Sequence, residues 1–111
     1  MPVAEAGHDV FQAIADPTRR SLLKLLANKE MSIASITDCY PISRTAVNKH
    51  LQVLSDAQLV SSQKVGRETR YKLQPEPLLE LQDWLAFFEG YWANKLFALK
   101  EYVEADSEEK L

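Results

Sequence analysis

Between Ser43 and Gln52 the chain spaces Arg44, Thr45, Asn48, Lys49 and Gln52 at steps of one, three, one and three residues. At about 100° per residue on a helix, these five fall within one arc, roughly 160° to 300° from Ala46. Val47, Leu51 and Leu54 fall in the neighbouring arc and predict a buried face. The five polar residues bring two positive charges, three hydrogen-bonding groups and no carboxylate. In a DNA major groove arginine and lysine read guanine, while asparagine and glutamine read adenine. The first turn of such a helix meets the bases, and its free N–H groups, beginning beside Ser43, can hold phosphate. A solvated helix face has the same polarity, so the flanking segments must decide. His50 falls on the core side and reads as structural.

The next segment is basic. Val60 to Val65 and Thr69 to Leu73 are rich in Val, Thr and Tyr and flank Gly66-Arg67-Glu68, which predicts a β-hairpin. It adds Lys64, Arg67, Arg70 and Lys72 against Glu68 alone. Such a hairpin can lie along phosphates or in an adjacent minor groove, although lysine and arginine also guard sheet edges. Its position directly after a candidate reading helix favours the first role. The formal charge of −3 conceals this asymmetry: residues 41–73 are net +4, residues 1–40 net −1 and residues 74–111 net −6. A basic surface is therefore confined to the middle third.

These residues need a scaffold, and the chain carries its start and stop signals. A short first helix is expected over about residues 8–15, with Val10, Phe11 and Ile14 on one face. Asp16-Pro17 starts a second helix, aspartate as cap and proline at the first helical position. Its Leu22, Leu23, Leu25 and Leu26 point to a core, and it ends near Asn28-Lys29. Ser32 caps a third helix through Ile33 and Ile36 to about Tyr40, where Pro41 stops it. Ser43 caps the fourth, to about Asp56. The short turn Tyr40-Pro41-Ile42 between the last two has helix-turn-helix spacing. Behind Pro75 and Pro77, one long helix is expected from about Glu76 to Glu104.

With 111 residues and 46% apolar composition, the chain has room for one domain with a true core. The expected division is a flexible segment 1–7, a single domain 8–104 and an acidic tail 105–111. No apolar run reaches membrane-spanning length, Leu85-Ala86-Phe87-Phe88 being the longest cluster. The N-terminus has no secretion signal, and Cys39 is the only cysteine, so a cytoplasmic protein is expected. Phosphate-loop, nucleophile-elbow and metalloprotease motifs are absent. The expectation is a protein that is not an enzyme and holds no cofactor. As for Cys39, cysteine is more often a small buried residue than a redox sensor, and no second cysteine is present to resolve a sulfenic acid.

The order of four helices, hairpin and long helix resembles the ArsR family of winged helix-turn-helix repressors. The resemblance rests on Ala15-Asp16-Pro17-Thr18-Arg19-Arg20, on Ile42 through Leu51, on Val53-Leu54, and on Gly66-Arg67 followed by Tyr71-Lys72-Leu73. It covers about residues 8–104. It implies a mainly α fold with a small β-hairpin, and a homodimeric regulator that binds inverted-repeat operator DNA through the fourth helix and the wing. Position by position, it implies DNA contacts at Ser43, Arg44, Thr45, Asn48 and Lys49. Gln52 from the polar arc, and Lys64, Arg67 and Arg70 from the hairpin, complete the candidate set. The alternative is a winged-helix module that uses this surface for protein. Trp84 and Tyr91-Trp92 look like the non-metal branch that includes autorepressors. Ser32 and Ala34 stand where soft-metal sensors of the family carry thiolates, and no histidine follows His50, so no metal site is expected.

The long helix suggests the partner. Seven of the chain's ten aromatic residues lie between Trp84 and Tyr102. Its main apolar face carries Leu81, Trp84, Leu85, Phe88, Tyr91, Trp92, Leu96, Leu99, Tyr102 and Val103, with Leu79, Phe87 and Phe97 outside it. A helix of about 43 Å exceeds what the preceding 70 or so residues can cover. Burial against a second copy is the economical solution, with Val10, Phe11 and Ile14 of the first helix contributing. Gly90 marks a close approach or a bend.

Overall fold

Three side-chain oxygens start three of the helices. In a computed structural model of the chain, which describes residues 9–109 and side chains to residue 106, Asp16 caps α2 (Pro17–Asn28) by accepting from the Arg19 N–H at 3.0 Å. Ser32 caps α3 (Ile33–Asp38) through the Ser35 N–H at 3.1 Å, and Ser43 caps α4 (Arg44–Asp56) through the Ala46 N–H at 3.1 Å. Each satisfies a backbone donor that the first helical turn leaves without a partner. All three caps stand where the sequence places them.

The first helix, α1 (Val10–Ala13), is shorter than expected and is capped by Asp9. Its carbonyl end is held by α2. Arg19 donates to the Ala13 and Gln12 carbonyls at 2.7 and 3.1 Å, and Arg20 to the Ile14 carbonyl at 2.7 Å. Two guanidinium groups thus meet the negative end of α1, the favourable sign for a helix C-terminus. The expectation for residues 1–7 lies outside the described residues.

A strand that sequence reading does not anticipate, β1 (Met31–Ser32), leads into α3. It completes a three-stranded antiparallel sheet with β2 (Val60–Val65) and β3 (Glu68–Leu73), in the order β1-β3-β2. Two residues are too few for a periodicity to register. The core lies between this sheet and the helices. Leu22, Ile36, Val47, Leu51, Leu54 and Leu59 are wholly buried there, joined by Val10, Leu26, Ile33 and Val60. Tyr40, expected near the end of α3, packs against this core and shares a 2.9 Å hydrogen bond with Ser21 of α2.

The turn from α4 into β2 is a full Schellman motif. The Leu59 N–H reaches the Leu54 carbonyl and the Gln58 N–H reaches the Ser55 carbonyl, both at 2.9 Å. Leu54 and Leu59 make the accompanying buried apolar pair. Gln58 takes the left-handed conformation this requires, φ 63°, and is the only non-glycine with positive φ among the described residues.

The chain divides into two compact units, Met1–Leu81 and Gln82–Leu111. The expected single helix over 76–104 is instead two, α5 (Leu78–Ala86) and α6 (Glu89–Glu109). At the break the Phe88 N–H turns back to Leu85, three residues away, in place of Trp84. Ring packing accompanies the tightened turn: Phe88 meets Trp84 and Phe87 edge-on at centroid distances of 5.1 and 5.0 Å. Gly90, poor at holding a helix, falls in the first turn beyond the break, so the bend reading of that glycine fits. A Cβ at Gly90 meets nothing within 4 Å in this chain. α6 continues past the expected end near Glu104 into the acidic tail, with residues 110–111 outside the described ones.

Two stability predictions follow from these termini. Gln58→Gly relieves the left-handed strain and should raise unfolding free energy by roughly 0.5–1 kcal/mol in urea titrations. Asp16→Ala removes a cap and should cost about 1 kcal/mol at neutral pH. The Arg19 backbone N–H, helped by His50 and Thr18, holds the Asp16 carboxyl below its ordinary pKa against the opposing effect of burial. A carboxyl lowered in the folded state stabilises fully above its unfolded pKa, and that stabilisation disappears as pH falls through the lowered value. The wild type and Asp16→Ala should therefore converge in stability as pH drops below the usual carboxylate range.

Candidate nucleic-acid interface

The rotation of α4 about its axis is set by Val47, Leu51 and Leu54, each 0% exposed. With that face inward, Ser43, Arg44, Thr45, Asn48, Lys49 and Gln52 are all exposed, on one continuous stripe. His50 is half-buried on the inner side, its Nδ1 4.0 Å from Asp16 Oδ2, which matches a structural role. Among the described residues neither Arg44 nor Lys49 makes a salt bridge, so both ammonium and guanidinium groups remain available to a ligand.

The stripe does contain one carboxylate. Gln52 Nε2 donates to Asp56 Oδ1 at 2.8 Å, one turn further along α4. The (i, i+4) spacing was the signal for this pair, since side chains four apart on a helix meet. Asp56 makes the C-terminal end of the stripe less favourable to an anion, while the end from Ser43 to Lys49 carries only neutral and positive groups. The positive and hydrogen-bonding groups without a carboxylate beside them therefore concentrate in the first two turns.

The wing is closed by the two-residue turn Gly66-Arg67. Gly66 has φ +66° and Arg67 is not among the positive-φ residues, the pattern of a type II′ hairpin. The register pairs Lys64 with Thr69, Gln63 with Arg70 and Ser61 with Lys72. Alternate strand residues face opposite sides, so Lys64 shares a face with Val60 and Tyr71, while Arg70 and Lys72 share the other. Arg67 occupies the exposed tip. The four basic side chains thus do not form one patch. Arg70 also differs in kind: it bonds Glu30 at 3.0 Å and Glu68 at 2.8 Å. Sequence reading missed Glu30 because nothing local links residues 40 positions apart.

The residues expected at a dimer interface divide in two. Val10 is 4% exposed and fills its own chain's core. Phe11, Ile14 and Leu81 are half-buried against that core. Within the second unit Trp84, Leu85, Tyr91, Trp92, Leu96 and Leu99 are each more than half exposed. Trp84, Leu85, Phe88, Tyr91 and Trp92 line a hollow of about 440 Å³. Cys39 is exposed at the end of α3, against the expectation that a lone cysteine is buried, and its thiol donates to the Ser35 carbonyl at 3.4 Å. Among the described residues no three His, Cys, Asp or Glu side chains converge on a metal-sized site. No described helix is long and apolar enough to cross a membrane.

Residues 14–63, from the end of α1 into the wing, match a helix-turn-helix domain family. The transcriptional repressor SdpR of Bacillus subtilis is 33% identical over 89 residues, covering 80% of this chain and 99% of that protein. The HTH-type transcriptional regulator Rv2034 of Mycobacterium tuberculosis is 30% identical over 99 residues, covering 89% and 90%. Among solved structures, an ArsR-like transcriptional regulator from Rhodococcus sp. RHA1 superimposes with TM-score 0.64 at 37% identity, covering 83% of this chain and 87% of that one. A crystal structure of an ArsR family transcriptional regulator gives TM-score 0.68 at 29% identity, covering 75% and 86%. With its capped helix-turn-helix, its three-stranded wing sheet and these relatives, the chain belongs to the ArsR family of winged helix-turn-helix transcriptional regulators.

Proposed function

We propose that this regulator is a cytoplasmic homodimeric repressor that binds an inverted-repeat operator and performs no catalysis. The observation that carries the reading is the exposed run Ser43, Arg44, Thr45, Asn48 and Lys49, a two-turn stripe without a carboxylate on a helix whose other face is locked in the core. In this reading Arg44, Thr45, Asn48 and Lys49 enter the major groove, and the Ser43 end of α4 receives phosphate. Lys64 and Arg67 of the wing neutralise flanking phosphates. Gln52 contributes at the margin because Asp56 holds its amide.

The homodimer is supported by the second unit, where Trp92 is 58%, Leu96 64% and Leu99 59% exposed in the single chain. So much exposed aromatic and aliphatic side chain on one helix is characteristic of an interface. A twofold axis would set two α4 helices about 34–36 Å apart, one turn of DNA.

Selection from random DNA should return an inverted repeat, and affinity for it should fall steeply with salt, about 10³-fold or more between 50 and 200 mM. Recovery of no palindromic site, with salt-insensitive binding to another protein, would establish the interaction-module reading instead. Arg44→Ala should weaken the specific site by roughly 1–3 kcal/mol and relax preference at one base pair. Arg67→Ala should weaken all sequences alike. Trp92→Asp places a charge on a side chain with no core of its own to disrupt, and should shift sedimentation to monomer with the circular dichroism unchanged. A dimeric Trp92→Asp protein with wild-type operator affinity would place the interface elsewhere, with Phe11 and Ile14 as the next candidates.

A further inference from the structure

Arg70 stands where a wing residue reaching for phosphate would stand, yet two edges of its guanidinium are already occupied. Its Nε donates to Glu30 Oε1 at 3.0 Å, and an η nitrogen donates to Glu68 Oε1 at 2.8 Å. Glu68 first, and Glu30 after it, favour the charged guanidinium and raise its pKa further. Among the described residues Lys64, Arg67 and Lys72 make no salt bridge. Arg70 is thus the one wing cation drawn back onto the protein.

The anchor point matters more than the pairing. Glu30 immediately precedes β1, whose two residues pair as Met31 with Tyr71 and Ser32 with Arg70. Ser32 is at the same time the cap of α3, the first helix of the helix-turn-helix. A strand of two residues gives the sheet few backbone bonds, and the Arg70 side chain extends the link one residue beyond it. Glu68, two residues away on the same strand, holds the other edge of the guanidinium and so orients it toward Glu30. One exposed ion pair stabilises little, but a planar fork that holds two carboxylates fixes direction as well as distance.

We propose that Arg70 is a positioning residue, which sets the wing against the helix-turn-helix through Glu30, with its guanidinium oriented by Glu68, and takes no phosphate itself. This rests on the operator-binding reading for its functional consequence. The opposite assignment is that phosphate displaces the two carboxylates and recruits Arg70 to DNA. The two differ in sign.

Charge-conserving variants separate them. Glu30→Asp withdraws the carboxylate by one methylene and opens the 3.0 Å contact without altering net charge. Arg70→Lys keeps the charge but loses the fork. If Arg70 positions the wing, each variant weakens operator binding several-fold, the double variant is no weaker than either single one, and the slope of log affinity against log salt is unchanged. Backbone amide exchange at Ser32 and Tyr71 quickens in both. Tighter binding by Glu30→Asp, or a salt slope lowered by about one in Arg70→Gln, overturns the proposal and makes Arg70 a phosphate contact. Should the wild type bind no DNA, the operator reading fails by itself, and amide exchange still tests the strut. Unchanged exchange in Glu30→Asp and Arg70→Lys refutes it.

Discussion

What the helix-turn-helix offers to a ligand depends on the burial of Val47, Leu51 and Leu54. Three side chains at spacings of four and three leave α4 no freedom to rotate without lifting apolar area into water. Their removal from solvent is worth roughly 1.5–3 kcal/mol each. The Schellman turn at Gln58 fixes the axial end of the same helix, because Leu59 continues the core that Leu54 enters. The Ser43 cap fixes its beginning. Between these two ends the outward stripe has one orientation, and the wing leaves directly from the Schellman turn.

The parts of the fold that were legible in the sequence are those governed by neighbours within one helical turn or one hairpin. Asp16-Pro17, Ser32 and Ser43 announce helix starts because a cap is a contact between a residue and the N–H three positions later. The wing is legible for a similar reason, since Gly66 supplies the positive φ that a two-residue turn needs. The pair Gln52 and Asp56 obeys the same local rule, yet it goes unread, because the polar arc is followed only as far as Gln52. What stayed hidden was set at a distance. β1 exists because β3 offers it an edge, and Arg70 is held by Glu30 across 40 residues. The break between α5 and α6 was masked by an apolar face that runs through Leu85, Phe88 and Tyr91 without interruption, so periodicity alone read one helix.

The charge distribution and the architecture agree only once pairing is counted. Sequence arithmetic gives residues 41–73 a surplus of basic groups, but Arg70 is paired with two carboxylates. The cations without a salt bridge in that segment are Arg44 and Lys49 on α4 and Lys64, Arg67 and Lys72 on the wing, among the described residues. These five are the cations of the segment that carry no carboxylate partner into the summed field at the surface. The acidic second unit keeps the overall pI low, so a bulk measurement of charge would misrepresent the basic groups of α4 and the wing.

Cys39 has a practical consequence. It is the only thiol in the sequence, it is exposed, and it sits at the end of α3, outside the α4 stripe and the wing. A maleimide dye or nitroxide therefore attaches once per chain with no engineered residue and no native one to remove. In an assembly of identical copies, each label reports on its own twin. Distances between the twins would give the angle at which two helix-turn-helix units open or close, read directly by spectroscopy on the unaltered protein.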